Sequence, residues 1–162
     1  SHQVERMRTF GIFVMAVALV AACQSDVSAQ ATDGPLAAVE KLFLGMRMAN
    51  VSIVRETLAP DVRIAAVAGV GGSARIEAQD IEGFLRSIGV SQGAWNEQIY
   101  DVEVRSDDTM ASVWAPFTFY LNGRLSHCGV NSIELLQDAE GWKITQISDT
   151  RRTAGCPDPL GA

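Results

Sequence analysis

The feature that most constrains this chain is a change of hydrophobic period at Trp95. From there to Thr150 the sequence consists of four segments rich in Val, Ile, Phe and Trp: 95–105, 110–121, 125–136 and 142–150. They are separated by three to five residues built around Ser106-Asp107-Asp108, Asn122-Gly123 and Asp138-Ala139-Glu140-Gly141. Connections this short close hairpins but cannot carry a crossover helix, so successive segments must run antiparallel. Asn-Gly between two alternating runs is the strongest of these turn signals.

The chain ahead of Trp95 has the helical period. Thr32-Asp33-Gly34-Pro35 reads as a cap and first turn, followed by Leu36, Val39, Leu42, Phe43, Met46 and Met48 at three-to-four spacing. A second short helix is expected over 50–58, with Val51, Val54 and Leu58 on one face and Ala59-Pro60-Asp61 as its stop. Residues 62–67 read as a strand and the glycine-rich 69–73 as a turn or mobile loop. A third amphipathic helix is expected over 76–88, ended by Gly89. Helices gathered at the front and strands at the back make the chain α+β and exclude an alternating parallel α/β sheet.

Residues 1–29 belong to a different problem. Arg6 and Arg8 precede an uncharged apolar run from Phe10 to Ala22, which is 13 residues long against the ~20 of a membrane-spanning helix. That is the pattern of an export signal. Val20-Ala21-Ala22-Cys23 resembles a bacterial lipobox, which would make Cys23 the lipidated residue, while Val27-Ser28-Ala29 and Ala29-Gln30-Ala31 fit ordinary cleavage. The expectation is a periplasmic or outer-membrane lipoprotein, or alternatively a soluble secreted protein, with membrane contact only through a lipid anchor. Residues 33–152 would form the domain and 153–162 a C-terminal tail. The net charge is -6, and removing the signal leaves it unchanged, so attraction to nucleic acid is not expected. No Cys-x-x-Cys or His-x-x-x-His spacing offers a metal site, and no cofactor is expected. Cys128 and Cys156 are the cysteines of the body; in an oxidising compartment they form either a disulfide or two independent thiols.

The order helix, helix, strand, helix and four long strands can be matched with specific residues. These are Asp61-Val62-Arg63-Ile64 after the second helix, Phe117-x-Phe119-x-x-Asn122-Gly123, and His127-Cys128-Gly129-x-x-Ser132. Gly141-Trp142-Lys143-Ile144 and Asp149-Thr150-Arg151-Arg152 complete the set. With them the chain resembles the nuclear transport factor 2-like (NTF2-like) superfamily, in particular its polyketide-cyclase-like, ketosteroid-isomerase-like and exported branches. The resemblance implies a strongly curved sheet wrapped as a cone around three N-terminal helices, with a central pocket and frequent homodimerisation through the outer sheet face.

Alternation then nominates site residues. Ile133 and Leu135 fix His127, Gly129 and Asn131 as inward on their strand, and Trp142 with Ile144 as the inward pair of the last one. On the strand of Phe117, two sets compete: Val113, Ala115, Phe117 and Phe119 against Trp114, Pro116, Thr118 and Tyr120. Trp114 and Phe119 are therefore both candidates to stack on a ligand. His127 is the candidate acid-base group or else a packed rim histidine. Asp149 with Arg151 and Arg152 is either a carboxylate with an anion clamp or a solvated ion-pair cluster. Asn131 bonds either a ligand or a strand neighbour. In the isomerase-like branch the resemblance places the base near Ala66 and the oxyanion-stabilising acid near Asn131, and finds no tyrosine among Leu42, Phe43 and Met46. That chemistry is disfavoured. The expected function is binding of a small apolar or aromatic molecule; the alternative is an isomerase, dehydratase or cyclase using His127 with Asp149.

Overall fold

A computed structural model of the protein describes residues 34–70 and 73–161. Residues 1–29, where the sequence leads one to expect an export signal with Cys23 as its lipidated residue, and Gly71-Gly72 lie outside the described residues. The elements in order are α1 (Pro35–Arg47), α2 (Val51–Thr57), β1 (Leu58–Val70), β2 (Ser73–Gln79) and α3 (Ile81–Val90), followed by β3 (Trp95–Ile99), β4 (Glu103–Asp107), β5 (Met110–Leu121), β6 (Arg124–Asp138) and β7 (Gly141–Thr150). The described residues form an α+β arrangement of three helices and one mixed, curved, open sheet, ordered β2-β1-β7-β6-β5-β3 with β4 also on β5. Among the described strands only β1 with β7 is a parallel pair.

Two of the helices begin on side-chain caps. Asn50 accepts a hydrogen bond from Ile53 N at 3.2 Å, and Asp80 accepts one from Gly83 N at 2.7 Å, each satisfying an otherwise orphaned donor. α1 starts instead on Pro35, whose fixed φ suits a first turn. It lies over β3, β5 and β7 and buries Val39, Leu42, Phe43 and Met46, each side chain contributing ~1.5–3 kcal/mol. α2 crosses it at Gly45, where a Cβ would lie 2.8 Å from Val54 Cγ2.

The helix expected over 76–88 begins later. Residues 73–79 instead pair antiparallel with Ile64–Val70 as β2, and Asp80 caps the helix behind them. The three helices are therefore not contiguous, because the β1–β2 hairpin separates α3 from the first two. Leu58 likewise opens β1 rather than ending α2.

The segment 95–105 is two strands. Tyr100–Val102 leaves the sheet between β3 and β4, with Asp101 at φ 47°. Pro116 on β5 explains the break: its carbonyl accepts from Tyr100 N at 3.0 Å, and within a strand N and C=O point the same way, so the missing N–H faces that gap. The Asn122-Gly123 turn has φ 53° and 74°, the two positive values that a two-residue hairpin needs.

β6 and β7 each carry one extra residue. Between Phe119 opposite His127 and Tyr120 opposite Leu125, β6 gains Ser126; between Glu134 opposite Gln146 and Leu135 opposite Ile144, β7 gains Thr145. Such bulges bend the strand and reverse the facing of the residues beyond them. Ile144 is thus buried before the bulge and Ile147 and Asp149 after it.

The tail crosses the outer face of β5 and β6. A disulfide joins Cys128 to Cys156, with Cα atoms 5.5 Å apart, closing a loop whose cross-link is worth about 3 to 4 kcal/mol on the chain-entropy estimate. Beyond it, Thr118 Oγ1 donates to Pro157 O at 2.9 Å, the Tyr120 hydroxyl donates to the Asp158 carboxylate, and Leu160 N donates to that hydroxyl at 3.2 Å.

Candidate functional site

Between the inner face of the sheet and the helices lies a cavity of about 200 Å³. Its apolar wall comes from Leu42, Phe43 and Met46 of α1, Ile64 of β1, Phe84 of α3, Trp95 of β3, Phe119 of β5 and Ile147 of β7. The aromatic rings form a chain: Phe84 to Trp95 at 6.2 Å between centroids, Trp95 to Phe119 at 5.8 Å edge-on, and Phe119 to His127 at 4.9 Å.

The polar groups come from the strands. Glu97, His127, Asn131, Asp149 and Arg151 all line the cavity, with Gln79 of β2. Asn131 Nδ2 donates to Glu97 Oε1 at 2.7 Å, and Arg151 Nε donates to Asp149 Oδ2 at 2.6 Å. Among the described residues the Glu97 carboxyl receives only the bond from Asn131. Its enclosed end is desolvated, which pushes it up to about 7; the charge of Asp149 adds to the rise, while the Asn131 bond and the Arg151 charge oppose it. His127 lies with its ring edge-on to Phe117 and Nδ1 3.1 Å from Ser126 Oγ. Burial first, and the charge of Arg151 second, hold its pKa below the ordinary histidine value against the pull of Asp149. That shift favours the uncharged imidazole.

Gly129 lets β6 pass beneath the end of β7. A Cβ there would lie 1.8 Å from the Thr150 carbonyl oxygen and 3.1 Å from Phe117, so its role is close backbone approach and not space for a ligand.

Of the residues nominated from sequence, His127, Asn131, Phe119, Asp149 and Arg151 meet in the cavity. Trp114 does not: it points outward from β5 and is 52% exposed. The competing set on that strand reads as apolar because Thr118 and Tyr120 are buried under the tail. Trp142 lies before the Thr145 bulge, in a surface hollow with Ala37, Ala38 and Lys41, and is also outside the cavity. Arg152 pairs through its backbone with Cys128 and is exposed, so it forms no clamp with Arg151. Asp149 is occupied by Arg151 and is a poor partner for His127 in proton transfer. Ala66 sits opposite Asp149 on β1, and its side chain can take no proton. Glu97 is the residue that sequence reasoning misses. Its signal is a lone charge on an apolar strand face, since it shares parity with Trp95 and Ile99.

No family model matches the chain, and no curated protein matches its sequence. Solved structures do. An NTF2-like protein of unknown function from Shewanella baltica superposes with TM-score 0.55 at 14% identity, over 74% of this chain and 91% of its own. An NTF2-like protein from Cytophaga hutchinsonii gives 0.57 at 16%, over 72% and 94%. The fold is NTF2-like. A third neighbour, a candidate scytalone dehydratase from Novosphingobium aromaticivorans, gives 0.56 at 10%, over 77% and 89%. At such identities the NTF2-like architecture is shared and the chemistry has to be argued from the site.

Glu97 makes stability depend on pH in a defined direction. Its ordinary value is 4.5 and its folded value about 7, so between these the folded state binds more protons than the unfolded one. Stability from this group is fully present below about 4.5 and is lost as pH rises through 7, by about 3 kcal/mol. The lowered His127 acts oppositely, removing stability as pH falls. Glu97→Gln should flatten the decline between pH 4.5 and 8 in urea unfolding; equal slopes for variant and wild type would show that the carboxyl titrates normally.

Proposed function

We propose that this NTF2-like domain binds a compact small molecule in its cavity, with an aromatic or aliphatic body against Phe84, Trp95 and Phe119 and a polar end at Glu97 and Asn131. The observation that carries this reading is the convergence of polar side chains from β3, β6 and β7 on an otherwise apolar cavity. Its volume suits one or two rings, since an apolar cavity of ~150 Å³ accepts benzene.

A second reading, acid-base turnover, is favoured by one observation: Glu97 and His127 stand in register on either side of Phe119. The first holds its proton up to about 7 and the second is held neutral, so an acid and a base face one ligand. In this reading Glu97, not Asp149, is the partner of His127.

One titration with 2-indanone in D₂O, followed by NMR, tests both readings. Saturable shifts at cavity residues in the wild type, absent in a folded Ile147→Trp variant that fills the space, support binding; equal affinity in the variant refutes it. Loss of the ketone's α-proton signals faster than in buffer, abolished by Glu97→Gln, supports turnover, and exchange at the buffer rate refutes it for this ketone class.

Export is proposed as well, with Cys23 as the lipid anchor. The Cys128–Cys156 disulfide supports it, because such bonds persist in oxidising compartments. Among the described residues no helix is long and apolar enough to cross a membrane. Labelled palmitate should enter the wild type but not Cys23→Ser; no label in the wild type would replace the lipoprotein with soluble export cleaved near Ala29 or Ala31.

A further inference from the structure

The cavity holds an imbalance of charge. α1 contributes Leu42, Phe43 and Met46, β1 contributes Ile64, and α3 contributes Phe84, so none of these elements brings a charge to it. β2 brings the neutral Gln79. The titratable and charged groups are Glu97 from β3, His127 from β6, Asp149 near the end of β7, and Arg151 just beyond that end. Among the described residues that line the cavity, Arg151 is the one cation. Its Nε is committed to Asp149 at 2.6 Å, and its side chain remains 45% exposed, leaning to the rim. Glu97 is left with a single neutral donor, the amide of Asn131.

An enclosed carboxyl without a counter-charge is costly to ionise, and a ligand that supplies the missing charge recovers that energy. The neighbouring rings fit the same ligand. Trp95 and Phe119 stand 5.8 Å apart by centroid, with Glu97 between Trp95 and Ile99 on the same strand face, and a cation within about 6 Å of such faces is attracted by their quadrupoles. A carboxylate ligand would instead bring a third negative charge to a site whose only guanidinium is already paired. The chain's net charge of -6 favours the approach of cations over anions as well.

We infer that the cavity is selective for a small primary or secondary amine carrying one apolar ring, bound as the ammonium with its N–H groups toward Glu97 and its ring among Phe84, Trp95 and Phe119. This rests on the reading that the cavity is a ligand site, and deepens it by naming the ligand class. Binding is coupled to protonation, because the ammonium requires Glu97 as the carboxylate. Free Glu97 holds its proton up to about 7, so at pH 6 binding expels that proton, whereas at pH 8 it is already gone. Apparent affinity therefore rises about tenfold from pH 6 to pH 8, the ratio of the ionised fractions at those two values. His127 does not reverse the trend, because any positive charge on its ring is lost as pH rises.

Benzylamine, benzyl alcohol and benzoate share a ring and differ in charge, and calorimetry in two buffers of unlike ionisation enthalpy measures both affinity and protons released. Benzylamine is expected to bind at least tenfold more tightly than benzyl alcohol at pH 8, to weaken about tenfold at pH 6, and to release close to one proton there. In Glu97→Gln, checked for folding by its NMR spectrum, the amine should bind no more tightly than the alcohol, with no pH dependence between 6 and 8. If benzyl alcohol or benzoate binds as tightly as benzylamine to the wild type at pH 8, the inference is overturned while the cavity stands as a ligand site. If none of the three binds, the cavity reading falls and the inference with it.

Discussion

The polar end of the cavity depends on one extra residue in β7. Trp142 and Ile144 share one side of the strand, so a regular strand would turn Gln146, Ser148 and Thr150 to that same side and leave Asp149 and Arg151 in solvent. Thr145 reverses that parity and donates through Oγ1 to Glu134 O at 3.1 Å, which holds the bulge in place. Asp149 and Arg151 then join Asn131, whose partner across the ladder is Asp149 itself. Ser126 makes the corresponding insertion in β6, next to His127. Bending the sheet and aiming its polar side chains are one structural event.

A second constraint works on the other side of the same strands. Gly129 admits the Thr150 carbonyl, and Cys128, adjacent in sequence and opposite in facing, carries the disulfide to the tail. The tail covers Thr118 and Tyr120 and ties the end of the chain to the outer face. This backing holds the strands that carry His127 and Asn131 from behind, so the site is set on a region pinned on both faces, as a preorganised pocket requires. Against that rigid frame the protein tolerates an enclosed carboxyl with one neutral hydrogen bond. Titratable groups displaced this far cluster at working sites, and here the displacement has a geometric cause in the cavity.

Much of this architecture is legible in the sequence because it rests on local patterns. The Asn122-Gly123 hairpin, the apolar stripe of α1 and the parity that Ile133 and Leu135 impose on His127 and Asn131 all come from period and turn chemistry. The elements that are not legible depend on distant partners. Residues 73–79 carry one large apolar side chain, Ile76, and become a strand only because β1 runs alongside. The break at Tyr100–Val102 is written in Pro116, far along the chain on the neighbouring strand. Trp114 reads as buried as Phe119 because the tail hides its parity mates Thr118 and Tyr120. Glu97 escapes notice while 95–105 reads as one strand, because Asp101, Glu103 and Arg105 then share its face; once the strand ends at Ile99, its parity with Trp95 and Ile99 is what marks it. The bulge at Thr145 leaves no sequence signal, and without it Asp149 and Arg151 fall on the face opposite Trp142 and Ile144.

Both the proposed binding site and its proposed selectivity turn on the state of one carboxyl group. Carbon-13 labelling of glutamate side chains, with the Glu97 resonance assigned by comparison with Glu97→Gln, allows that group to be titrated directly in the unliganded protein. A midpoint near 7, well above those of the exposed glutamates, is the predicted result. A midpoint near 4.5, the ordinary value, would mean that water or a cation already reaches Glu97 and would contradict the charge-deficient cavity on which the functional reading is built.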